Sequence, residues 1–148
     1  MTSIYNNFKT LLFNGSIDLD ADTLKVALVA DDIAYTPDID TEVYVNDVLD
    51  DVTASELNAT NYARKTLAPS ISQDNVDNEA VMDATNLTWS ALGGSTDDTI
   101  QGALIYKEVT NDADSPVLAY MTSADFPLPT NGGDVSIEWD VAGVLTLG

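Results

Sequence analysis

Residues 99–109, TIQGALIYKEV, decide the fold. Ile100, Leu104 and Tyr106 stand at even spacings, which places them on one face of an extended chain. The β-branched and aromatic content of the stretch favours a strand. A polar run follows, Asn111 to Pro116, and then Val117 to Met121 (VLAYM) returns. Two apolar extended runs joined by a short Asn/Asp/Pro-rich loop predict an antiparallel hairpin.

The same grammar continues toward the C-terminus. Asn131-Gly132-Gly133-Asp134 is a tight-turn signal. Val135, Ile137, Trp139 and Val141 then alternate with Ser136, Glu138 and Asp140, the pattern of a half-buried strand with an acidic outer face. Val144 to Leu147 supplies a last apolar piece. Toward the N-terminus, Leu87 to Trp89 reads as a short strand, and Ser90 to Asp98 as a loop around Gly93-Gly94. Ile71 and Ala80–Met82 flank the turn residues Asp74-Asn75 and Asp77-Asn78. Asn61 to Leu67 predicts a strand ending before Pro69, and Leu24 to Val29 another, with Leu24, Val26 and Leu28 on one face.

Between these, Tyr35-Thr36-Pro37-Asp38 is a turn signal. Residues 38–51 read as irregular, anchored by Val43, Val45, Val48 and Leu49. Thr53 and Glu56 have capping-box spacing, which predicts one helical turn there. At the start, Ile4, Phe8, Leu11 and Leu12 recur with helical period. Ser3 is a cap candidate and Asn14-Gly15 a stop, so a short amphipathic helix is expected over 3–13. Its apolar face either packs on the body or docks a neighbour.

Turn signals at this frequency predict a mainly β protein: a single-domain, antiparallel β-sandwich or barrel-like fold. It would span residues 1–148, with an N-terminal helical segment (1–13) and a β body (24–148). A chain of 148 residues suits one domain with its own core.

Composition narrows the chemistry. The chain has no cysteine and no histidine. That excludes disulfides, thiolate catalysis and cysteine–histidine zinc sites, and removes the commonest general base. Twenty-five acids face five bases, for a net charge of -20. Such a surface repels nucleic acid and anionic membranes and attracts basic partners. No apolar run approaches the roughly 20 residues of a membrane span, and no export signal is visible.

Asp18, Asp20 and Asp22 have the 1-3-5 spacing of a Ca²⁺ loop, but Thr23 stands where glycine is needed and Val29 where glutamate is needed. The alternatives are a weak divalent site or an acidic turn whose side chains bond the backbone. Among 25 acids no carboxylate pair is specific for glycoside hydrolysis. No catalytic residue, metal ligand or cofactor is assigned. Arg64-Lys65 is the one adjacent basic pair, either an internal ion pair or a contact to an acidic partner patch. Trp89 and Trp139 read as core residues, with carbohydrate stacking as the functional alternative. Asn58-Ala59-Thr60 and Asn86-Leu87-Thr88 match glycosylation sequons by chance.

Residues 14–28 (NGSIDLDADTLKVAL) are similar to the opening of small structural proteins of tailed bacteriophages and prophages. So are Tyr35–Asp38, Leu87–Trp89, Ala103–Lys107, Ser115–Tyr120 and the ending from Asn131 to Asp140 with Gly143–Leu145. The likeness covers nearly the whole chain and lies in framework strands and turns. It implies a virion structural protein, with capsid decoration (cement) as the expected role. Such proteins sit on the expanded head, commonly as trimers, and brace contacts between major capsid protein subunits. The chain departs from the commoner pattern near residues 58–66, where Asn61-Tyr62-Ala63-Arg64-Lys65 replaces a glycine-rich stretch. On this reading Ile4, Tyr5 and Phe8, with Arg64 and Lys65, are the expected contact residues. Deleting residues 1–13 should then abolish binding while the β body stays folded. A tail, baseplate or head-completion protein and a carbohydrate-binding β-sandwich are the alternatives. An enzyme would need a carboxylate dyad in a cleft with a raised pKa.

Overall fold

The computed structural model describes residues 2–30, 35–50, 55–95 and 98–148. The strands and helices run in the order β1 (Thr2–Ile4), α1 (Asn6–Phe13), β2 (Leu24–Ala30), α2 (Val45–Leu49), β3 (Ser55–Glu56), β4 (Lys65–Leu67), β5 (Pro69–Asp74), β6 (Glu79–Ala84), β7 (Leu87–Leu92), β8 (Thr99–Lys107), β9 (Val117–Met121), β10 (Leu128–Pro129), β11 (Gly133–Ile137) and β12 (Leu145–Leu147). The fold is mainly β and antiparallel, as expected, with one short N-terminal helix.

A seven-stranded sheet follows the order β1-β9-β8-β2-β3, with β4 also on β2 and β10 also on β8. The hairpin expected from residues 99–121 is its centre, β8 paired with β9. One face of this sheet packs against a two-stranded sheet (β11-β7) and a three-stranded sheet (β12-β6-β5). Leu24, Val26 and Leu28 of β2 meet Trp89 and Leu92 of β7, Met82 of β6 and Leu145 of β12 in that larger core. The other face carries a second core, where Ala27 and Val29 meet Val45 and Val48 of α2 and a group of tyrosines. Strand β2 is therefore buried on both faces, which explains its unbroken apolar run.

Two bulges redistribute the central side chains. Val29 pairs with Gly102 and Ala30 with Ile100, which leaves Gln101 extra. Ile100 thus enters the larger core while Leu104 and Tyr106 face the second, so the expected common face is split by one inserted residue. The second bulge lies at Leu118, between the pairs Ile105–Ala119 and Tyr106–Val117. Gly102 allows the close approach here: a Cβ on it would collide with the hydroxyl of Tyr120.

Several boundaries differ from expectation. Residues 2–4 form an edge strand on β9, with Ser3 opposite Tyr120, so Ser3 caps nothing and the helix begins at Asn6. The expected stop holds, with Asn14 as C-cap and Gly15 at φ 75°. Residues 45–49 form a five-residue helix, missed because it is too short to show a period. Asn61 has φ 64° and turns the chain, so the strand starts only at Lys65. Glu56 lies in a strand rather than a helical turn, and Thr53 lies outside the described residues. Strand β7 runs on to Leu92, and β11 stops at Ile137, leaving Val141 fully exposed at a turn. Among the described residues no helix is long and apolar enough to cross a membrane.

Candidate functional site

The expected contact residues divide by burial. Tyr5 and Phe8 are buried, Tyr5 in the second core and Phe8 in the larger one. The N-terminal segment wraps the edge of the main sheet and sends one anchor to each side. These side chains cannot face a partner in this fold, and that part of the expectation is corrected. Deleting residues 1–13 would take Tyr5 from one core and Phe8 from the other and strip β1 from β9, so the body is expected to lose stability. Ile4 is partly buried against the larger core.

Arg64 is spent inside the molecule. Its Nε and Nη2 donate to Glu56 Oε1 and Oε2, each at 2.7 Å, and Nη1 and Nη2 donate to the two oxygens of Asp112 at 2.6 and 2.7 Å. Nη1 also donates to Tyr106 Oη at 3.1 Å, and the guanidinium stands 5.4 Å from that ring's centroid. Two forked carboxylate contacts use nearly every donor the guanidinium has. The carboxylates raise the Arg64 pKa further, and Arg64 holds the Asp112 carboxyl below its ordinary range. Lys65 lies over Trp89, 5.8 Å from the ring centroid, while Trp89 Nε1 donates to Ala63 O at 2.7 Å. The internal ion-pair reading of Arg64 is what the geometry supports.

The Asp18–Asp22 stretch is a backbone-bonded turn. Asp18 Oδ1 accepts the Asp20 N–H, Asp22 Oδ2 accepts the Asp18 N–H, and Asp22 pairs with Lys107 at 2.8 Å. Among the described residues no group of three or more acidic side chains is gathered to hold a metal ion.

The second core holds a buried polar chain. Tyr5 Oη and Tyr35 Oη are 3.1 Å apart, and Tyr35 Oη donates to Glu42 Oε2 at 2.6 Å. Burial pushes the Glu42 carboxyl above its ordinary value and both phenols well up. This carboxyl is enclosed under Tyr5 and Tyr35 and has no place in an open cleft.

A cleft does exist elsewhere, with a volume of about 710 Å³. Its floor is the cross-strand row of Ala103, Met121 and Thr2 on β8, β9 and β1. One wall is the 122–126 segment with Asp125 and Phe126. The other runs from Ser136 of β11 through Glu138, Trp139 and Asp140. The volume lies inside the roughly 300–1,000 Å³ range of binding clefts. Asp125, Glu138 and Asp140 are exposed, and the cleft's lining includes no basic side chain. Trp139 is half-buried, with Nε1 donating to Thr85 O at 3.0 Å and its backbone N–H to Asn86 Oδ1. Of the two tryptophans weighed for stacking, Trp89 is buried and Trp139 alone reaches a concave surface. Sequence reading missed the cleft because its walls come from residues 2, 103, 121–126 and 136–144, which only the fold brings together.

No protein-family model, no curated protein and no solved structure matches the chain.

Proposed function

We propose that this protein is a structural component of a tailed-phage virion, a capsid decoration protein that binds the outside of the assembled head. One observation carries the reading. Three of the stretches that bear the resemblance, 14–28, 103–107 and 115–120, run through β2, β8 and β9, three adjacent strands at the middle of the main sheet. The likeness therefore concerns the framework that defines the fold.

The physics of the molecule supports the role. A protein that binds only the assembled shell stabilises it by mass action. A body with cores on both faces of its main sheet is stiff enough to brace subunits, and a net charge of -20 discourages sticking to packaged or free DNA. The partner would be the major capsid protein, with trimers at threefold points. With Tyr5 and Phe8 internal, contact falls to the exposed edges and the acidic surface.

Purified protein co-sedimented with expanded shells of the accompanying major capsid protein tests this. Saturable binding at the number of threefold and local threefold sites is expected. Absence of binding, or a count of six or twelve copies per intact virion by mass spectrometry, would overturn decoration and favour a tail or connector role.

A further inference from the structure

We propose that the cleft beside the free edge of β11 is a docking site for an extended segment of another protein, with lysine or arginine alternating with apolar residues. The inference rests on the cleft and not on the virion reading.

The first argument is the backbone. Among the described residues β11 pairs only with β7, so it keeps one unpaired side. Thr2, Met121 and Ala103 are cross-strand partners in one row, so the cleft lies over that face of the main sheet. Ser136 and Ile137 of β11 line the same cleft. An open strand edge is a template for an added strand, and main-chain hydrogen bonds then supply affinity.

The second argument is the side chains. The cleft offers apolar surface in Met121, Phe126, Ile137 and Trp139, and acids in Asp125, Glu138 and Asp140. A strand turns alternate residues to opposite sides. An apolar–basic alternation therefore sets one row on the apolar floor and presents the other to the carboxylates.

Charge selects the occupant. A second copy of this chain has five basic residues in all. Lys25, Arg64 and Lys107 are held in ion pairs, and Lys65 lies over Trp89. The copy has no basic extended segment to offer, and two bodies of charge -20 repel. A sugar stacked on the Trp139 ring face is the competing occupant, and oligosaccharide controls test it.

The test titrates the ¹⁵N-labelled full chain with an octapeptide alternating lysine and valine. Controls are the same peptide with proline in place of valine, which keeps the charge but cannot pair as a strand, and neutral oligosaccharides. Saturable binding is expected, with amide shifts at Thr2, Ser136, Ile137 and Trp139. The lysine–valine peptide should bind at least about tenfold tighter than the proline control, since only it can add to a strand edge. The variant D125N/E138Q/D140N, confirmed folded by its spectrum, should weaken binding by about tenfold. Equal affinity for both peptides would mean general attraction to an acidic surface and would overturn the proposal. So would shifts confined to other faces, or cleft shifts with oligosaccharide and none with peptide.

Discussion

Two acidic regions of this molecule are built in opposite ways. Around Arg64, the carboxylates of Glu56 and Asp112 are drawn onto one guanidinium, beside a buried tryptophan, Trp89, that Lys65 covers. Around Trp139, the carboxylates of Asp125, Glu138 and Asp140 stand exposed on a cleft with no basic side chain in its lining. Two of the chain's five basic residues, Arg64 and Lys65, are committed at the first region. Glu56 and Asp112 are tied into the fold by a cation, whereas Asp125, Glu138 and Asp140 are left for solvent or a partner. The contrast can be broken by mutation, because it predicts large stability effects at one region and small ones at the other.

The tryptophans should give the largest difference. Trp89 is buried in the larger core and its N–H is bonded to Ala63 O. Trp89→Ala should cost about 3–5 kcal/mol, the range for emptying a buried aromatic site. Trp139 is only half-buried, so Trp139→Ala should cost about 1–2 kcal/mol on the same reasoning, scaled to partial burial. Urea midpoints for the two variants check this, and equal costs would erase the distinction between a core tryptophan and a cleft tryptophan.

Next comes the guanidinium. Arg64→Met keeps much of the packing against Tyr106 but leaves Glu56 and Asp112 facing each other without a cation. The side chains are 23%, 30% and 41% exposed for Arg64, Glu56 and Asp112, so the pair is neither a surface bridge nor a buried one. A loss of about 2 kcal/mol is expected, between the ~0–1 of exposed pairs and the ~3–5 of broken buried ones. A loss below about 0.5 kcal/mol would reclassify the clamp as an ordinary surface bridge and reopen Arg64 as a partner contact.

Sequence had singled out Arg64 without being able to choose its role, and the reason is distance. Glu56 is eight residues away but Asp112 is 48, and nothing in the spacing says that the loop after β8 returns to the guanidinium. The central hairpin was legible because its periodicity and turn residues are local. The split of Ile100 from Leu104 and Tyr106 was not, because one inserted residue at Gln101 reverses a face without changing composition. Residues 2–4 carried helix-like spacing, yet pairing with β9 overrides that local preference. Tyr5 and Phe8 read as contact residues of one segment, while the chain sends them to opposite sides of a sheet edge. The cleft was illegible throughout, since its floor and two walls come from segments far apart in sequence.

The pH dependence of the clamp gives a smaller effect with a defined sign. Arg64 holds the Asp112 carboxyl below its ordinary value of 3.8. A carboxyl with a depressed folded pKa contributes stability above its unfolded pKa, and that contribution disappears as pH falls through the folded value. The stability gap between wild type and Asp112→Asn should therefore be about 1 kcal/mol near neutrality, discounted for the exposure of Asp112. It should close only below about pH 4. Glu42 has the opposite sign, because burial raises its pKa. Relative to Glu42→Gln, wild type should gain stability as pH falls through the raised value. Urea midpoints between pH 7 and 3 check both, and a gap for Asp112→Asn that widens on acidification would contradict the clamp.

The smallest expected effect is the most discriminating. Asp125→Asn, Glu138→Gln and Asp140→Asn together remove three exposed charges from a chain of net charge -20. The local bonds survive: Asp140 Oδ1 accepts the Ala142 N–H at 2.9 Å, and an asparagine oxygen can do the same. Asp125 Oδ2 accepts from Ser123 Oγ at 3.2 Å, which asparagine also allows. Lost self-repulsion acts in the stabilising direction. The net change should thus lie within about 0.5 kcal/mol of zero, or favour the folded state slightly, as for surface substitutions generally. The same triple change should weaken binding of a basic extended peptide. A marked loss of stability would mean that these carboxylates support the fold as Glu56 and Asp112 do, and the difference between the two regions would collapse. An unchanged fold with weakened binding would separate acid that builds the molecule from acid that faces a partner.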